Sequence, residues 1–147
     1  VLSQTTGYAI RALAYLARIK DKPVLVRDIS EATNIPNAFL AKIINTLGRK
    51  RFVATQRGIR GGISLARKPE SLSLYEICAA LDEPLLKSRC VLGMIECSDE
   101  NGCPVHHFWV KHQEEEIEFL RKTTLADIAT ISDRQERAKK RKHKTGR

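Results

Sequence analysis

The sequence predicts a mainly α protein with a small β-hairpin wing, a winged helix-turn-helix followed by a long helix. Three observations carry this. Stretches with apolar residues at helical spacing fill about the first fifty residues, a glycine- and arginine-rich turn between two short β-type runs follows at once, and further helical stretches flank a cysteine-dense interval. With 147 residues, 42% of them hydrophobic and 29% charged, the chain can build one ordinary core and has no need of a second.

The first helix is expected over Thr6 to Lys20, where Ala9, Leu13, Leu16 and Ala17 form an apolar stripe and "KDKP" ends it. A short second helix fits Arg27 to Thr33, with Ile29 and Ala32 as its apolar face. "NIP" then breaks the chain, because the residue before Pro36 is biased away from helical angles. A third helix from Pro36 to about Lys50 carries Leu40, Ile43, Ile44 and Leu47 at i, i+3, i+4 and i+7 toward the core. Phe52 to Thr55 and Ile63 to Ala66 read as two strands around Gly58, Gly61 and Gly62. In "LSLYEICAAL", Ser73 and Glu76 form a capping box, Leu72 and Ile77 a hydrophobic staple, and Pro84 sets the limit of the helix. Pro104 opens a long helix with Phe108, Trp109, Ile117 and Leu120 on its apolar side, and Thr124 caps a final short one.

The formal charge is +9, and residues 133–147 hold +6 of it, with eight Lys/Arg against two acids. This segment reads as a disordered basic tail, so a case for a polyanionic partner must rest on pattern within the body. No apolar run approaches a membrane span and no secretory start is visible, which reads as a soluble cytoplasmic protein with no membrane partner.

That pattern is present. The outward face of the third helix bears Asn37, Ala38, Lys42, Asn45 and Arg49 and no acid, so it can donate to base edges and phosphates without repelling DNA. A solvated helix face would look similar. The hairpin breaks the tie, because Arg57 and Arg60 sit at a tip where Gly61 and its neighbouring glycines permit close backbone approach, which suits guanidinium insertion into a minor groove or between phosphates. Tyr8 and Arg11 are candidates for backbone contacts.

The segment "CVLGMIECSDENGCPVHH" spaces its ligands as Cys90, Cys97, Cys103 and His106, a C-x6-C-x5-C-x2-H pattern. Three thiolates and an imidazole suit an iron-sulfur cluster. A zinc site satisfies the same ligand count, although its gaps are usually shorter. Disulfides would leave one cysteine of the segment unpaired and are disfavoured in a cytosolic chain. Cys78, among Ile77, Ala79, Ala80 and Leu81, reads as a buried structural thiol. His112 and His143 read as surface residues.

"TTGYAIRALAYLA", "VRDISEATNIPNAFLAKIINTL", "RGIRGGISLARKP", the clustered cysteines and "TTLADI" together resemble the bacterial iron-sulfur winged-helix regulators of the Rrf family over residues 3–131. The resemblance implies a homodimer paired through the long helix after the cysteines, a pseudo-palindromic operator on double-stranded DNA, and His106 as the fourth ligand of a 2Fe-2S cluster. A 4Fe-4S cluster is the alternative; some such members take an aspartate from the partner's first helix, a place held here by Gly7. The implied organisation is a DNA-binding head at 1–83, a cluster-binding loop at 84–106, a dimerisation helix and terminal helix at 104–132, and the tail. Competing functions are a zinc-binding or metal-free winged-helix repressor and, less in keeping with four occupied metal positions, an iron-sulfur enzyme.

Overall fold

The computed structural model of the chain describes residues 1–20, 22–87, 90–93, 100 and 103–131. Among them lie six α-helices and one two-stranded antiparallel sheet. Helix α1 spans Gln4–Ile19. It starts two residues before the expected point because Ser3 is its N-cap, the side chain accepting from the Thr6 amide at 3.3 Å. Its buried residues Ala9, Ile10, Ala12, Leu13, Ala14, Leu16 and Ala17 cover more than one stripe. Small alanines let several elements approach at once, and α1 packs against α2, α3, α4 and β2 as the centre of the molecule.

Helix α2 (Val26–Thr33) stops at Asn34, which takes a left-handed conformation with φ 59°. Ser30 Oγ donates to the Ile35 carbonyl at 2.6 Å and holds the turn. Helix α3 (Asn37–Arg49) follows Pro36 and buries Leu40, Ile43, Ile44 and Leu47, the four residues expected. Its end is a Schellman turn: Phe52 N–H donates to Leu47 O at 2.9 Å and Arg51 N–H to Gly48 O at 3.0 Å, with Arg51 left-handed at φ 61°. Buried Phe52 lies where the motif places an apolar contact with Leu47.

Strands β1 (Val53–Gln56) and β2 (Gly62–Leu65) pair in the register Val53 with Leu65 through Gln56 with Gly62. The hairpin is not alone. Val24, in the α1–α2 connection, forms a bridge with Ile63, the two exchanging N–H···O bonds of 2.9 and 2.7 Å. The wing is thereby fastened to the helical head, a long-range pairing that local sequence pattern does not announce.

Helix α4 (Leu74–Ala80) has the capping box read from the sequence: Ser73 accepts from the Glu76 amide at 3.2 Å, and Glu76 accepts from the Ser73 amide at 3.1 Å. Leu72 and Ile77, the expected staple, are both fully buried. A second Schellman turn with left-handed Asp82 (φ 53°) ends α4 by bonding Glu83 N–H to Cys78 O at 3.0 Å. Helix α5 (His106–Lys122) starts two residues later than expected, since Pro104 and Val105 form a turn ahead of it. Helix α6 (residues 125–131) is capped by Thr124, whose hydroxyl accepts from the Asp127 amide at 3.3 Å. The α5–α6 junction pairs with the start of α4 through Leu74 N–H to Thr123 O (2.9 Å) and Leu125 N–H to Leu72 O (2.8 Å). Leu120 is the buried residue of α5, Ile117 is half-buried, and Phe108 and Phe119 face solvent in the single chain. The basic tail at 133–147 lies outside the described residues.

Candidate nucleic-acid interface and cysteine segment

Burial of Leu40, Ile43, Ile44 and Leu47 fixes which way α3 is turned, and the opposite side follows from the 3.6-residue repeat. Asn37, Ala38, Lys42, Asn45 and Arg49 are all exposed there. Phe39, which the sequence reading passed over, is also 53% exposed. Its ring meets Tyr8 of α1 edge to face at 6.4 Å, and the Arg11 guanidinium lies 5.7 Å over the Tyr8 ring. Gln4 Nε2 donates to the Tyr8 hydroxyl at 3.1 Å, and Arg11 donates to the Thr33 carbonyl at the end of α2. Tyr8 and Arg11 thus brace the junction of α1, α2 and α3. The signal for Phe39 was its place on α3 outside the apolar stripe.

Beyond β1, Arg57 and Arg60 are exposed on the connection 57–61. Gly58 O accepts from Gly61 N–H at 2.9 Å, which makes 58–61 a hydrogen-bonded turn with Ile59 and Arg60 outermost. Each glycine has a reason within the fold. A side chain at Gly61 would put Cβ 2.3 Å from Gln56 O, and one at Gly62 (φ 151°) would put it 2.7 Å from Val24 N. At Gly61 and Gly62 the close approach is to the protein's own backbone, whereas around Gly58 the space is open.

Of the cysteine segment, Cys90, Cys103 and His106 are described and half-buried, whereas Cys97 lies outside the described residues. Cys103 is a free thiol, and its carbonyl accepts from the His106 amide at 3.1 Å, so thiol and imidazole belong to one turn at the mouth of α5. His106 and His107 rings stand 5.7 Å apart at 72°, an edge-to-face contact. Among the described residues no three His, Cys, Asp or Glu side chains converge as a metal site. Cys78 is fully buried, and burial together with the charge of Glu83 pushes its thiol up to about 11, the condition of an inert structural thiol.

Immediately ahead of the segment stands Glu83, a carboxylate only 2% exposed. It accepts from the Ser3 amide at 3.1 and 3.2 Å and from Ser3 Oγ at 2.6 Å. Burial opposes its charge, yet hydrogen bonds from Ser3, Thr6 and the Leu85 backbone outweigh that and hold the carboxyl below its ordinary value. Among the described residues no helix is long and apolar enough to cross a membrane.

Three short helices around a central α1, with α3 exposing a polar, acid-free face and a hairpin fastened behind it, define a winged helix-turn-helix of the DNA-binding regulator class. A family model described as Rrf2, iron-dependent transcriptional regulator, matches residues 2–131. The chain belongs to the Rrf2 family of transcriptional regulators. It is 34% identical over 136 residues to a protein of Aquifex aeolicus named as an HTH-type transcriptional regulator, covering 91% of this chain and 94% of that one. To the HTH-type transcriptional regulator IscR of Yersinia pseudotuberculosis it is 31% identical over 141 residues, covering 91% and 85%. Among solved structures, CymR, the global cysteine regulator of B. subtilis, shares the fold at TM-score 0.76 and 20% identity over 89% of this chain and 97% of that one. IscR of T. potens does so at 0.70 and 24%, over 90% and 88%. These relatives are regulators of transcription, not enzymes.

Proposed function

We propose that this regulator acts as a homodimer on a pseudo-palindromic duplex operator, and that an iron-sulfur cluster held by Cys90, Cys97, Cys103 and His106 sets its grip. The observation that carries the reading is the joining of two features in one chain: an exposed face of Asn37, Ala38, Lys42, Asn45 and Arg49 beside an arginine-tipped wing, and Cys103 and His106 placed in one backbone turn at the start of α5. Lys42 and Asn45 donate to base edges in the major groove, Arg57 and Arg60 enter the flanking minor groove, and Gly61 lets the tip turn tightly enough to fit.

Three thiolates and one imidazole are a chemically sufficient donor set for a 2Fe-2S cluster, the favoured form, with 4Fe-4S as the alternative. Such a cluster, when bound, supplies one-electron redox chemistry and lability to oxidants, nitric oxide and iron shortage. The rest is done by the chain. Residues 84–105 join the head, through Glu83 and Ser3, to α5, whose exposed Phe108 and Phe119 bury against the second copy. Ligation through Cys90, Cys97, Cys103 and His106 would tie the segment to the first residue of α5 and so would bias the direction in which α5 leaves the head and the spacing of the two α3 helices across the dimer. The free energy available equals the difference in ligation between the competent and incompetent spacings.

Anaerobic purification followed by absorption spectroscopy and iron, sulfide and zinc analysis tests the cluster. Visible absorbance that disappears in Cys97→Ala and Cys103→Ala, with a changed affinity for operator DNA, is the expected result. Zinc without sulfide would replace the cluster by a zinc site. A colourless, metal-free protein with unaltered DNA binding in these variants would reduce it to a plain winged-helix repressor.

A further inference from the structure

The wing tip carries a residue that the fold does not use. Ile59 is 107% exposed, as free of contacts as an extended peptide, although it is a β-branched hydrophobe. Single exposed apolar residues are ordinary on protein surfaces, so exposure alone means little. Its setting is different. It occupies one of the two outermost positions of the turn closed by the Gly58 O to Gly61 N–H bond of 2.9 Å, beside exposed Arg60 and two residues from exposed Arg57. At Gly61 a Cβ would meet Gln56 O at 2.3 Å, so the backbone folds closely on itself beneath the tip and leaves Ile59 standing out from it. Behind it, the Val24–Ile63 bridge ties the base of the hairpin to the α1–α2 connection. The tip is therefore a closed turn, cationic on its flanks and apolar at its point.

We propose that Ile59 is a wedge that enters the minor groove between Arg57 and Arg60 and partly unstacks one base step, kinking the operator in each half-site. An apolar side chain held in a minor groove by flanking guanidinium groups finds only sugar and base-edge surface to bury against. It gains more by sliding between base pairs where stacking yields most readily, at a pyrimidine–purine step such as TA or CA. The wedge thus adds a preference for a deformable step at the outer edge of each half-site, at a position with no hydrogen-bond readout. This rests on the assignment of the head as a duplex reader.

The test uses the full chain and a duplex enriched by it from a random-sequence library, end-labelled for energy transfer and carrying 2-aminopurine in place of adenine near the outer edge of each half-site. The wild-type complex is expected to bend the duplex by about 20–90° and to raise 2-aminopurine emission about twofold or more at one step per half-site. Ile59→Ser should abolish both signals and Ile59→Leu should keep them. Because the side chain is wholly exposed, unchanged thermal unfolding is expected for both variants. An Ile59→Ser complex with the wild-type bend and emission overturns the wedge while leaving the reading head intact. Failure of the wild-type protein to enrich any duplex overturns the reading head itself, and the wedge with it.

Discussion

Ser3 Oγ donates to Glu83 Oε2 across 2.6 Å, eighty residues apart in sequence. The bond joins the N-cap of α1 to the last residue before the short helical turn that leads into the cysteine segment. It exists because left-handed Asp82 reverses the chain at the end of α4 and brings Glu83 back over the start of α1. A buried carboxylate at a helix N-terminus also meets the positive end of the helix dipole.

Glu83→Ala should destabilise the fold by roughly 1–3 kcal/mol, since it strips a charged acceptor from the half-buried Ser3 amide and hydroxyl. The carboxyl is held below its ordinary value in the folded state, so its contribution is fully present above the unfolded pKa and is lost as pH falls through the lower folded one. Urea unfolding of wild type and Glu83→Gln between about pH 7 and pH 3 should show a steep acid loss in the former and a shallower one in the latter. Parallel acid limbs would remove Glu83 from this role.

The Cys78 thiol, pushed up to about 11 by burial first and by Glu83 second, should be silent to thiol reagents in the native protein. Near pH 8 only about one thiol in a thousand is ionised at such a pKa. Ellman titration of the native metal-free protein should leave one cysteine unreacted until denaturant is added, and Cys78→Ala should remove that protected thiol. Cys78→Ala should leave any visible absorbance unchanged.

Gly58→Ala and Gly62→Ala separate two reasons for glycine. Gly58 (φ 109°) has open space around a would-be Cβ, so the substitution costs backbone strain alone, about 1–2 kcal/mol. Gly62→Ala adds a collision with the Val24 backbone and should cost roughly 2–4 kcal/mol. Amide exchange of Val24 and Ile63, which bond each other, should accelerate in Gly62→Ala and stay near wild type in Gly58→Ala.

Arg51 holds φ 61° at the end of α3, where glycine would sit without strain. Arg51→Gly should therefore stabilise the head by about 0.5–1 kcal/mol in thermal or urea unfolding, net of the added freedom of the unfolded chain. A loss of stability would mean that the guanidinium makes a contact worth more than the strain.

Features governed by neighbours a few residues away were legible in the chain. The capping box of Ser73 and Glu76, the cap at Thr124, the buried face of α3 and the arginine-bearing turn all follow from spacings of one to seven residues. Helix ends were less so: Asn34, Arg51 and Asp82 take left-handed angles that non-glycine sequence does not advertise. Of the candidate ligands, the structure joins Cys103 to His106 through one turn, while Cys97 lies outside the described residues.

By itself, then, the sequence determined the helical head and the wing, because amphipathic period and capping chemistry are properties of residues and their near neighbours. Only the tertiary structure decided that Val24 would fasten the wing, that Glu83 would be buried against Ser3, and that Phe39 and Ile59 would stand in solvent. Those outcomes depend on which distant backbone segments close-pack around α1, and a pairing across tens of residues leaves no periodic trace in the chain that makes it.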